Sequence, residues 1–138
     1  MRNKSIILIL SLLSLWTISC KDEKETSQMK EVLAIHDEVM PKMGTIGKLM
    51  GELDKKIEGG NHVDDFLTAR EDLKLAHKAM MDWMKGFGNR FDSEEIMKGK
   101  ALSAEKQKWL DEEETKVKSL RDQINSSIKK AENLLNKD

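Results

Sequence analysis

Apolar residues recur at alternating steps of three and four over most of this 138-residue chain. One series is Val32, His36, Val39, Met43, Ile46, Met50, Leu53 and Ile57. A second is Phe66, Ala69, Leu73, Ala76, Met80, Trp83 and Phe87. A third, with one wider gap, is Leu110, Val117, Leu120, Ile124, Ile128, Ala131 and Leu135. That spacing puts an apolar stripe along one side of an α-helix and resembles a coiled-coil seam. Hydrophobic residues are 38% and charged residues 36%, with a single Pro, which suits helices that bury one face and solvate the rest. A β-sandwich would need turn residues and β-branched runs that are lacking. The expected fold is all-α: an elongated, antiparallel three-helix bundle, coiled-coil-like, over residues 30–138.

Breakers set the expected boundaries. Pro41 has no N–H to offer Asp37, so a kink falls inside the first helix. Gly44, Gly47 and Gly51 line a flank of that helix, where they either admit another backbone or make the helix pliable. Gly59 and Gly60 end it, and Asn61 can cap the next. Gly86 and Gly88 are expected to end the second helix. An irregular stretch of residues 88–102 follows, pinned by Phe91, Ile96 and Met97, with a short turn at residues 92–97. Ser103 then caps a third helix to about Leu135. In the acidic run at residues 111–114, Glu112 with Lys116 and Glu114 with Lys118 read as i,i+4 pairs on a wet face.

The first nineteen residues read as an address. Arg2 and Lys4 precede an uncharged, mostly apolar stretch from Ser5 to Ser19. As a helix it would span about 22 Å, short of the roughly 30 Å of a hydrocarbon core, so it suits a cleavable leader. It ends at the lone cysteine, Cys20. Thr17-Ile18-Ser19-Cys20 resembles a bacterial lipobox, with Thr17 standing where Leu is usual. That resemblance implies removal of residues 1–19 and acylation of Cys20, whose two or three chains hold far more firmly than one. Residues 20–29 then form a charged tether. Its start, Lys21-Asp22-Glu23, resembles the export signal of surface lipoproteins of the Bacteroidetes type. The expected location is the cell envelope, on the outer membrane, facing the periplasm or the surface.

Several functions are disfavoured. A net charge of −1 gives no basic footprint for nucleic acid. One Cys forms neither an internal disulfide framework nor a Cys-based zinc site. HExxH, CxxC, GxSxG and P-loop motifs are missing, as is Glu-x-x-His of di-iron bundles. His62, by the glycine turn, reads as solvated. No base–nucleophile pair with an orienting third group stands out, so the expectation is a protein that is not an enzyme.

Two methionine-rich blocks carry the remaining chemistry. His36, Met40 and Met43 form one; His77, Met80, Met81 and Met84 form the other. With a turn near residue 60, His36 faces Met84, Met40 faces Met80, and Met43 faces His77. Thioether with imidazole suits copper in its Cu(I) state, and a His/Met pair also ligates haem iron, although no CxxCH attachment is present. Methionine at helical spacing equally serves as adaptable core.

HDEVMPKMGTIGKL, AHKAMMDWMKGF and the long last helix together resemble small helical lipoproteins of the Bacteroidetes type, often labelled "viral A-type inclusion protein". The resemblance covers about residues 30–135. It implies a helical envelope lipoprotein and transfers no catalytic residue. The expected role is interaction or scaffolding, through the membrane anchor and a protein partner or a second copy; the alternative is copper binding at the Met/His blocks.

Overall fold

The computed structural model describes residues 19–60 and 63–137, with side chains from Thr26 onward. The leader of residues 1–18, together with Asn61 and His62, lies outside the described residues. Among the described residues five helices follow in order: α1, Ser19–Val39; α2, Lys42–Glu58; α3, Val63–Arg90; α4, Ser93–Lys98; and α5, Ala104–Leu135. No strand occurs among the described residues. The four long helices pack on one another around one apolar core.

Side-chain pairs give the register. His36 meets Met84, and Asp54 pairs with Arg70, so α1 and α2 run antiparallel to α3. Arg90 pairs with Glu112, and Asp72 with Lys130, so α3 runs antiparallel to α5. Gln28 bonds Asp111, Glu31 pairs with Lys118, and Lys42 at the start of α2 bonds Asn125, so α1 and the start of α2 run alongside α5 in the same direction. The 32 residues of α5 span about 48 Å.

α3 buries all seven residues of its expected seam. It does not end at Gly86 and Gly88 but continues to Arg90. The reason is a run of rings one turn apart: Trp83 lies 5.0 Å from Phe87, and Phe87 lies 4.9 Å from Phe91. Helical spacing through both glycines keeps those rings in contact, and about 0.5–1.5 kcal/mol per ring pair beyond the area buried offsets a propensity cost of about 1 kcal/mol per glycine.

The first expected helix is two helices. The helical ladder is interrupted at Met40 and Pro41, which lie between α1 and α2. Met40 N still donates to His36 O at 3.0 Å, and Met43 N donates to Met40 O at 3.1 Å. Pro41 keeps helical dihedrals, φ −60° and ψ −26°, so the missing donor interrupts the ladder without turning the chain away. The buried stripe also differs from the expected seam. Met29, Val32, Ile35, Val39, Ile46, Leu49 and Leu53 are buried, whereas His36, Met43, Met50 and Ile57 are half-buried. A globular helix buries a stripe wider than a coiled-coil seam, which admits Ile35 and Leu49.

The stretch read as a tether is helical, since α1 starts at Ser19. Met29 is only 4% exposed, and Gln28 donates to Asp111 and Glu114 at 2.9 and 2.6 Å. The packed unit therefore reaches back to at least Thr26. Glu58 ends α2, and Gly60 takes a positive φ of 83° that a side chain would resist.

Two buried carboxylates lock α3, α4 and α5. Glu113 fills the gap in the α5 seam between Leu110 and Val117, is buried, and accepts from Arg90 Nη1 at 2.9 Å and Lys116 Nζ at 2.8 Å. The same guanidinium reaches Glu112 at 2.7 Å and lies 5.5 Å above the Trp109 ring. The acidic run is therefore not wholly a wet face. Glu112 pairs with Arg90 rather than Lys116, while Glu114 does pair with Lys118. Pairing is what makes a buried charge tolerable. Glu95 accepts from Lys106 Nζ at 2.6 Å and from Asp92 N at 2.8 Å. Asp92 returns the bond by accepting from Glu94 N and Glu95 N, completing a capping box. Ser103 caps α5 as expected, accepting from Lys106 N at 3.2 Å. Phe91 is buried and Ile96 half-buried, but Met97 pins nothing and stands exposed.

Candidate functional site

The Met/His blocks sit where α1 breaks. His36 occupies the last turn of α1, and Met84 faces it from α3. The antiparallel register brings His36 Nε2 to 3.2 Å from Met84 Sδ, the opposition expected from the sequence. His36 Nδ1 lies 2.9 Å from Asp37 Oδ1, and the ring stands 6.0 Å from that of Trp83 at an interplanar angle of 33°.

The chemistry of these contacts is restrictive. An ionised carboxylate only accepts, so the proton facing Asp37 belongs to Nδ1. In the neutral ring Nε2 is then an acceptor, and the thioether it faces is also an acceptor. Two lone-pair donors thus converge on one point. A soft cation between nitrogen and sulfur would satisfy both.

The other candidates divide. Met40, Met43 and Met81 are half-buried against the core. Met80 is fully buried among the largest core side chains, so its thioether serves as apolar filling. His77 is exposed, and the expected Met43–His77 opposition is not formed: one residue past the core position Ala76, its side chain rotates about 100° away. Among the described residues, no three His, Cys, Asp or Glu side chains gather as a metal-holding group. A cation at this place would rest on one imidazole and neighbouring thioethers. The acylation reading of Cys20 and the export reading of Lys21, Asp22 and Glu23 concern side chains outside those described.

Sequence spacing missed the aromatic wall. Trp83 appears in the series as one more apolar position, yet it stacks between the His36 ring and Phe87. Its Nε1 is buried without a hydrogen-bond partner. The α3–α5 side also carries an open groove of about 530 Å³, lined by Ala79, Trp83, Gly86, Lys116, Ser119 and Leu120 among others. Its small residues at i and i+7 on α3, Ala79 and Gly86, are the only hint of it in the sequence. Gly44, Gly47 and Gly51 do not receive another backbone: a Cβ at each would meet nothing within 4 Å.

Compared with models of protein families, with curated proteins and with solved structures, the chain matches none.

Proposed function

We propose that this protein is a cell-envelope lipoprotein, held on the outer membrane through Cys20, whose helices act as an interaction or scaffold module. Three observations from the sequence support the anchor. The only cysteine ends an apolar stretch, a small Ser19 precedes it, and Lys21-Asp22-Glu23 follow. Among the described residues, no helix is long and apolar enough to cross a membrane. In this reading α1 and α2 act as one kinked leg beside α3 and α5. The whole is then an elongated antiparallel three-helix bundle, related to the small lipoproteins that its Met-rich blocks resemble. A protein partner or a second copy binds its long faces, and no residue is assigned to catalysis. The test is labelling of cells with a palmitate analogue. Label on the wild type and none on Cys20→Ser supports the anchor; equal label on both, or an intact leader by mass spectrometry, removes it. Protease added to intact cells then distinguishes a surface from a periplasmic location.

The approach of His36 Nε2 to Met84 Sδ favours a second reading, copper binding as Cu(I) between α1 and α3. Purified protein then holds about one Cu(I) per chain against a competing chelator, consistent with a soft N/S site. His36→Ala and Met84→Ala each weaken retention, and His77→Ala leaves it unchanged. Competition curves that do not move with the first two substitutions remove this reading.

A further inference from the structure

The methionines of this chain stand in three kinds of surroundings. Met29 and Met80 are buried, Met97 is 78% exposed, and Met40, Met43, Met50, Met81 and Met84 are half-buried. Oxidants convert a methionine thioether to a sulfoxide. Exposure alone would put Met97 first in that reaction, the five half-buried residues together behind it, and Met29 and Met80 last.

Met84 departs from that order through its neighbour. Its Sδ lies 3.2 Å from His36 Nε2. The contact of Nδ1 with Asp37 Oδ1 at 2.9 Å keeps the proton of the neutral ring on the far nitrogen, so Nε2 presents a lone pair to the sulfur. The imidazole is 25% exposed, and a small solute reaches the pair from that side. In the ground state the contact gains nothing, because both atoms are acceptors. The balance changes when the sulfur reacts. With hydrogen peroxide, a sulfur lone pair forms the S–O bond as the O–O bond breaks. The leaving hydroxide then takes the proton of the transferred hydroxyl, so one peroxide becomes one water and the thioether, oxidised by two electrons, becomes a sulfoxide. Positive charge develops on Sδ before that proton is lost. A fixed lone pair already aimed at the sulfur stabilises the charge, as preorganised dipoles do where charge develops.

We propose that Met84 is a methionine-oxidation site, activated by His36, at which a hydroperoxide converts Sδ to the sulfoxide. The product changes the joint between the legs of the bundle. The sulfoxide oxygen is polar and an acceptor, and it meets Nε2, an acceptor in the same ring form. The present contact between the last turn of α1 and α3 is therefore lost on oxidation, and reduction by a methionine sulfoxide reductase restores it. No metal takes part, so this chemistry is separable from copper binding and from the anchor.

The test treats the full-length protein with hydrogen peroxide at pH 8 in the presence of a metal chelator. Sulfoxide at each methionine is followed in time by peptide mass spectrometry. Met84 is expected to oxidise faster than Met40, Met43, Met50 and Met81, which share its burial. His36→Leu is expected to slow Met84 about tenfold, equivalent to about 1.4 kcal/mol in the barrier, and to leave Met97 unchanged. Asp37→Ala alters an exposed side chain and keeps the imidazole, but it frees the ring proton to sit on Nε2 and donate to the sulfur, so it also slows Met84. If His36→Leu fails to fold, Asp37→Ala decides. Rates that follow exposure alone, with Met84 among the other half-buried methionines, overturn the proposal. So does a Met84 rate left unchanged by either folded variant.

Discussion

α3 presents seven buried side chains in unbroken steps of three and four, whereas α1 and α2, across the same core, alternate aliphatic residues with half-buried His36, Met43 and Met50. α3 has 28 residues and no interruption; its counterpart is cut at Met40 and Pro41 and carries three exposed glycines in α2. One side of the core is therefore rigid and aliphatic-aromatic, and the other is soft, polarizable and jointed. The joint is also where imidazole, thioether and indole meet. The imidazole comes from the jointed side, and the thioether and indole that face it come from the continuous α3.

The comparison breaks most directly through packing. Leu73 is fully buried in α3. Leu73→Ala is expected to cost about 2–5 kcal/mol, from lost transfer free energy plus the cavity left behind. Met43→Ala in α2, whose side chain is half-buried, is expected to cost only about 1 kcal/mol because less apolar surface leaves water there. Urea unfolding with unchanged m-values measures both. Equal losses would show that the two sides are packed alike.

This asymmetry also explains what could be read in advance. In α3 every core position is a large apolar residue or alanine at seam spacing, so periodicity alone identified the face. Glu113 and Ser127 escape such a reading because they occupy core positions of α5 as polar residues; Lys116 and Gln123 lie within one helical turn of them, but nothing local reveals that Arg90 of α3 will reach Glu113. His36 against Met84 was legible because the glycine turn fixes the hairpin register. His77 was not, since one residue of offset separates a core-facing position from an exposed one. Gly86 and Gly88 misled because their local preference loses to ring stacking on either side of them.

A second way to sharpen the contrast is to stiffen the soft side. Gly44, Gly47 and Gly51 are exposed helical positions with room for a methyl group. Replacing all three by Ala is expected to raise stability by about 2 kcal/mol, near the sum of their propensity gains. Thermal unfolding should show a higher Tm. If the joint at Pro41 depends on a pliable α2, the His36–Met84 contact weakens in the same variant, read as a shift of the His36 ring resonances. A loss of stability instead would mean that these glycines already touch something a methyl group displaces.

The smallest expected effect separates the end bearing α4 from the rest of the molecule by acid. Asp92 has a pKa below its usual 3.8, chiefly because it accepts the backbone bond from Glu95, then that from Glu94, with Lys100 and Lys106 nearby. Glu114 has a pKa below its usual 4.5, first through Lys118 and then through Gln28. In both, the folded value is depressed, so the unfolded chain binds protons more readily. Their contribution to stability is present above the ordinary values and is lost as pH falls through the lowered ones. Acid should therefore release the α4 cap and the Gln28 contact between α1 and α5 before the seam of α3 opens, since the seven buried seam residues of α3 carry no titrating group. The readout is the pH dependence of the Glu94 and Glu95 amide resonances and of the Gln28 side-chain amide. Midpoints below 3.8 for the first two and below 4.5 for the third support the ordering, and midpoints at or above those values refute it.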